Sequence, residues 1–179
     1  FHINRLLRSP RASDWSKEKI NESMVKINEA RMKDAEVIDA LINRTPPLEE
    51  DLTVFRGMKS EAASSFRFTS DQILTHQKPL PPEDFKQRII VDKGFASTSL
   101  VANRSMEFGG SGFFMEIKIP KGKKALFMNT ADMETRKYGS DGKKMDLEHE
   151  VLLPRNTAFQ IKGLRRFEGF TVIEAEVVS

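Results

Sequence analysis

The chain has 179 residues, no cysteine and a net charge of +3 from 29 Lys/Arg against 26 Asp/Glu. Disulfides, thiolate metal sites and a cysteine nucleophile are therefore excluded, and the protein is not polybasic. No apolar run approaches the ~20 residues that span a bilayer, and one domain of this length buries roughly two-thirds of its unfolded surface around a single core.

Asp14 is placed to cap a helical region running from about Trp15 to Asn43, in one piece or broken once. Ile20, Met24, Ile27, Ile38, Leu41 and Ile42 fall on its apolar stripe. Pro46-Pro47 ends the helical region and delivers the chain into Leu52-Thr53-Val54-Phe55-Arg56-Gly57, a β-prone run closed by an arginine backed by glycine. Residues 59–88 are polar, with Pro79, Pro81 and Pro82 separating a short helix from another around Glu83 to Arg88. Strands are predicted at Lys93 to Leu100, Gly112 to Ile119, Ala125 to Met128, Glu150 to Leu153, Ala158 to Ile161 and Phe170 to Val178. With no internal repeat or low-complexity tract, the expected organisation is one domain over 1–179, helical to about residue 50 and β-rich from 51. The start at Phe1 points to a processed product or a domain cut from a longer protein.

Three segments carry chemistry. A guanidinium such as that of Arg56 is permanently charged and forks onto phosphate oxygens, and Gly57 lets a backbone approach a ligand closely. In Gly94-Phe95-Ala96-Ser97-Thr98-Ser99-Leu100, Ser97 and Ser99 share one strand face and Thr98 takes the other, so a serine hydroxyl can fix the rotamer of a carboxylate. Glu148-His149-Glu150 leads into Val151-Leu152-Leu153 and stops at Pro154; in an extended strand both glutamates project from one face and His149 turns away. Adjacent carboxylates repel unless a cationic ligand or divided acid and base roles compensates them. Taken singly, the commoner reading of each motif is the plain one: a solvated glutamate pair, a solvated arginine and an edge-strand or turn Ser-Thr-Ser.

Together and in this order, Arg56, Ser97-Thr98-Ser99 and Glu148-x-Glu150 resemble the mono-ADP-ribosyltransferases of the arginine–serine–glutamate class. The likeness is strongest to binary-toxin catalytic domains and related phage and effector enzymes, and it extends to Ile117-Lys118-Ile119-Pro120-Lys121-Gly122. The resemblance implies an α+β fold in which two roughly perpendicular β-sheets form a cleft for NAD and N-terminal helices pack outside. It implies Glu150 as the residue that stabilises the cation formed on breaking the nicotinamide–ribose bond, Ser97 as its orienter and Arg56 as the hold on the dinucleotide. Gly57, Thr98, Ser99, Phe108 and Ser111 fall on NAD-binding positions, Phe108 where an aromatic stacks on nicotinamide. No metal is required.

Two departures bear on NAD. Many relatives carry arginine where this chain has Ser111, and a second basic residue where it has Gly57; Arg104 is the expected substitute, reaching in from the preceding turn. Glutamate at position 148 accompanies transfer to arginine within the family, whereas glutamine accompanies other acceptors. The loop from Asn129 to Leu147 resembles the family's substrate-recognition turn, with Tyr138, the sole tyrosine, and Met145 as target contacts. Between Lys121 and Lys144 seven Lys/Arg stand against three Asp/Glu; a solvated loop and a contact surface for an acidic partner both fit.

The expected activity is transfer of ADP-ribose from NAD to an arginine of a host macromolecule, by a monomeric domain delivered into a host cell by a bacterium or phage. NAD hydrolysis, modification of nucleic acid, and a non-catalytic binding module of the same fold are the alternatives.

Overall fold

The computed structural model describes residues 22–58, 88–109, 113–128, 149–167 and 169–179. Helix α1 spans Glu22–Arg44, ending within a residue of the position expected from Pro46-Pro47. Thr45 closes it, its Oγ1 donating to the Ile42 carbonyl at 2.7 Å, and the prolines prevent continuation. Asp14 to Asn21, with Ile20, and the expected helices at 59–87 lie outside the described residues.

Among the described residues eight strands follow: β1 Leu52–Met58, β2 Ile89–Asp92, β3 Ala96–Ser99, β4 Phe113–Ile119, β5 Leu126–Met128, β6 Glu150–Leu153, β7 Thr157–Phe167 and β8 Phe170–Val177, with a short helix α2 at Ala102–Gly109 between β3 and β4. Their order is β2-β7-β8-β4-β1-β3-β6-β5. All pairings are antiparallel except β4 with β8. The link between β1 and β3 is a single residue pair, Phe55 opposite Ser99, so the sheet divides there into a five-strand and a three-strand part. Where two sheets were expected, the described strands form one continuous sheet whose parts meet at that pair. Residues 93–95 carry the chain from β2, the outer strand of one part, to β3 in the other.

Alternation builds the core. Met115, Ile117 and Ile119 of β4 and Ile173, Ala175 and Val177 of β8 meet Ala96 of β3 and Val151 and Leu153 of β6 in one cluster, so both parts close on the same apolar interior. A second cluster seats α1: Ala35 and Ile42 pack on Phe95, flanked by Ile38, Leu126 and Leu152. The buried stripe of α1 therefore runs through 35, 38 and 42, spaced at three and four residues. Leu41, expected on it, is 45% exposed. Arg155 fastens the helix, pairing with Asp39 while its guanidinium lies 5.9 Å from the centre of the Phe95 ring. The start of β1 is tied to the end of β4 by Asp51, which pairs with Lys118 at 2.8 Å and accepts the Lys121 amide at 2.9 Å. Those two partners hold its carboxyl below the ordinary value.

The face of β1 and β4 turned away from the core carries Phe114, 1% exposed, within an aromatic group formed with Phe55 and Phe170 at 6.4 and 6.0 Å between ring centres. Helix α2 packs against the same two strands. Phe114→Ala is expected to cost ~3–5 kcal/mol by leaving a cavity beneath α2, read as a lower midpoint in chemical denaturation.

Strand β2 was not expected. Its four residues are split from the serine strand by a turn in which Asp92 Oδ1 accepts the Gly94 amide at 3.0 Å, so the β-prone run from Ile89 divides into two strands belonging to different parts of the sheet. Strand β7 outruns the expected Ala158 to Ile161 by six residues at its end. A register shift between Ile161 and Gly163 breaks the alternation that would have revealed it.

Candidate active site

The short pairing of β3 with β6 sets opposite one another Ser97 and Leu152, Thr98 and Val151, and Ser99 and Glu150. The ladder continues for one more bond, from the Leu100 amide to the His149 carbonyl at 2.9 Å. With Phe55 opposite Ser99 and Met128 opposite Glu150, one transverse row reads Phe55, Ser99, Glu150, Met128. Cross-strand partners share a face, and Ser97, two residues from Ser99, shares it too. The consequence is a bond from Ser97 Oγ to Glu150 Oε1 at 2.5 Å. A hydroxyl donating to a carboxylate at this length is charge-assisted and holds the acid in one rotamer. Ser97 is exposed and Glu150 half-buried, so the pair opens to solvent.

Arg56 follows Phe55 and so turns to the other face of β1. Its side chain is 20% exposed and its Nη1 pairs with Asp92 Oδ2 at 2.7 Å. Asp92 thus holds two groups at once: the guanidinium through Oδ2 and the Gly94 amide through Oδ1. No motif pointed to Asp92. The available signal was an Asp two residues before Gly at the end of a β-prone run, which marks a turn but not a partner for a distant arginine.

Other expected site residues divide by face. Gly57 lies opposite Phe114 on β4. Thr98, expected at the NAD site, is instead 4% exposed on the core side, and its hydroxyl donates to the Val151 carbonyl at 2.6 Å. Strand alternation puts it behind the sheet from Ser97, where it fastens β3 to β6. Ser99 Oγ accepts the Val101 amide at 3.0 Å and shapes the turn from β3 into α2. Arg104 and Phe108 lie within α2, so Arg104 is in a helix rather than the expected turn; their side chains lie outside the described residues. So do Ser111, Tyr138, Met145, Glu148 and the basic stretch from residue 129 onward. His149, expected as a spacer, is exposed and joins the ladder through its backbone.

An N-terminal helix seated on a mixed eight-strand sheet, with the sheet's short β3–β6 pair presenting a serine-held glutamate, is the ADP-ribosyltransferase fold. Residues 1–176 match the family model described as ADP-ribosyltransferase exoenzyme, and the chain belongs to that family. Among curated proteins it is 35% identical over 74 residues to the epidermal cell differentiation inhibitor of Staphylococcus aureus, a stretch covering 41% of this chain and 26% of that protein. In structure it is similar to Plx2a, an ADP-ribosyltransferase toxin from Paenibacillus larvae, with a TM-score of 0.62 and 24% identity over 99% of this chain and 79% of that one. It is also similar to C3stau2 from S. aureus, solved with NAD, with a TM-score of 0.64 and 20% identity over 99% of this chain and 80% of that one. Vis toxin from Vibrio splendidus shares the fold as well, at a TM-score of 0.59 and 19% identity over 99% of this chain and 66% of that one.

Proposed function

We propose that this chain is an NAD-dependent mono-ADP-ribosyltransferase that moves ADP-ribose from NAD to an arginine of a host protein and releases nicotinamide. The observation that carries the reading is the 2.5 Å bond from Ser97 to Glu150; the family match and the resemblance to a relative solved with NAD support it. Breaking the bond between nicotinamide and the ribose carbon leaves the electron pair on nicotinamide and positive charge on the sugar. A fixed carboxylate beside that carbon stabilises the charge as it develops and accepts a hydrogen bond from a ribose hydroxyl. Glu150 fills this role. Among the described residues Ser97 engages its Oε1, leaving Oε2 to face the substrate. Arg56 is assigned to the diphosphate from its place in the Arg, Ser-Thr-Ser, Glu-x-Glu order, its side chain leaving β1 on the face opposite the row that carries Glu150.

Glu148 selects the acceptor. A guanidinium carries five donors, no acceptor and a pKa above about 12, so it attacks only when a carboxylate orients it and takes up the proton it sheds. Two residues from Glu150 in the chain, Glu148 supplies that carboxylate. The new bond joins a guanidinium nitrogen to the ribose carbon, and no metal enters the reaction. The proposed setting is a host cell reached by delivery from a bacterium or phage, in keeping with the bacterial toxins that share the fold.

The test supplies labelled NAD with three acceptors: an arginine analogue, host lysate protein and RNA. Label on the analogue and on protein arginines is the expected result. Nicotinamide release without label on any acceptor identifies a glycohydrolase, label on RNA alone identifies a nucleic-acid enzyme, and no turnover identifies a binding module. In the same assay Ser97→Ala is expected to lower kcat about 10- to 100-fold with little change in NAD affinity, because Glu150 remains but is no longer held.

A further inference from the structure

The geometry points to Asp92 as a positioning residue for NAD, acting through Arg56; the inference rests on the proposed role of Arg56 as the hold on the diphosphate. Asp92 ends β2 at the point where the chain crosses to the serine strand. Its Oδ2 takes Arg56 Nη1 at 2.7 Å, and its Oδ1 takes the Gly94 amide at 3.0 Å. Phe95, next in the chain, is buried against Ala35 and Ile42 of α1 with Arg155 over its ring. The carboxylate is therefore anchored in a turn that packing holds still, and its bond to Nη1 transmits that anchorage from the serine strand to the arginine of β1.

Two effects of Asp92 on an anionic ligand oppose each other. Its charge offsets that of Arg56 and weakens attraction to a diphosphate. Its bond also fixes the guanidinium, so a long side chain does not have to be ordered when the ligand arrives. Burial decides between them. The two side chains are 20% and 12% exposed, and a guanidinium at that depth that loses its carboxylate is left with an uncompensated charge and shifts from its present position. Losing Asp92 therefore removes the arginine from its working position, and the positioning effect outweighs the charge effect.

Calorimetric NAD titration and steady-state nicotinamide release test this on the wild type, Asp92→Asn, Asp92→Ala, Arg56→Ala and the double variant Arg56→Ala/Asp92→Ala. Asp92→Ala is expected to raise Kd and KM for NAD about tenfold while kcat changes less than about threefold. Asp92→Asn, which keeps an oxygen for the Gly94 amide but turns an amide donor toward Arg56 Nη1, should weaken binding to a similar degree. With Arg56 already replaced, removing Asp92 should cause no further loss, since the effect runs through the arginine. Should Asp92→Ala fail to fold, the near-isosteric Asp92→Asn carries the test, with weakened NAD binding expected in a protein that still unfolds in one cooperative thermal transition. The inference is overturned if folded Asp92 variants bind NAD within about twofold of wild type, or if Asp92→Ala weakens binding equally with and without Arg56. A wild type that neither binds nor cleaves NAD overturns the functional reading itself, and the inference with it. That outcome is distinct from a wild type that turns NAD over normally while the Asp92 variants match it.

Discussion

Glu150→Gln is expected to reduce nicotinamide release and ADP-ribose transfer by about 10³-fold or more, with NAD binding and folding retained. The substitution is informative because little besides charge changes. Glutamine is almost the same size as glutamate, and its amide oxygen can accept the bond that Ser97 Oγ now gives to Oε1. Glu150 opens β6 opposite Ser99 and Met128, and it is not among the residues of the apolar core, so stability should not respond. What disappears is a negative charge held where positive charge develops on the sugar. NAD hydrolysis near the wild-type rate in the folded variant would contradict a role for Glu150 in bond breaking.

Glu148→Gln should separate the two halves of the reaction. The amide keeps size and hydrogen bonding but can neither take up a guanidinium proton nor pair with its charge. Transfer to arginine should fall about 10²- to 10⁴-fold, the range of a lost general base, while hydrolysis at Glu150 continues. A base or hydroxyl of a nucleic acid presents no permanent cation and should be much less sensitive to the change. Nicotinamide release measured beside label transfer gives both rates from one sample. Equal transfer to protein by variant and wild type would contradict the arginine assignment.

Strands β3 and β6 were legible because the facing of their side chains follows from strand alternation, which sequence displays directly. Ser97 and Ser99 sharing a face, with Thr98 behind them, is a property of any extended Ser-Thr-Ser, and the buried Thr98 follows from the same rule. The meeting of Ser97 with Glu150 needed one more fact, the register of β3 on β6, which only the resemblance to a family supplied. Tertiary relations without a local signature were not legible. Asp92 lies 36 residues from Arg56, and no spacing rule joins them. The division of Ile89 to Ser99 into strands of different sheet parts depends on where β7 and β1 lie, not on the run itself. Leu41 fits the helical stripe by type, yet Ala35 is the buried residue, since the approach of α1 to Phe95 sets which face is covered. The charged pairs of the outer face, such as Arg165 with Glu174 at 2.9 Å and Lys162 with Glu176 at 3.0 Å, are exposed pairings across β7 and β8 of the kind that adds little to stability.

Locating the ADP-ribose bond on the product tests the proposed transfer at its decisive step. Wild-type protein, NAD and an arginine-containing acceptor are incubated, and the modified residue is identified by fragment mass spectrometry, with Glu150→Gln as the control. ADP-ribose on an arginine guanidinium is expected in the wild-type reaction and none with Glu150→Gln; modification of a different residue type, or equal modification by both proteins, would contradict the assignment.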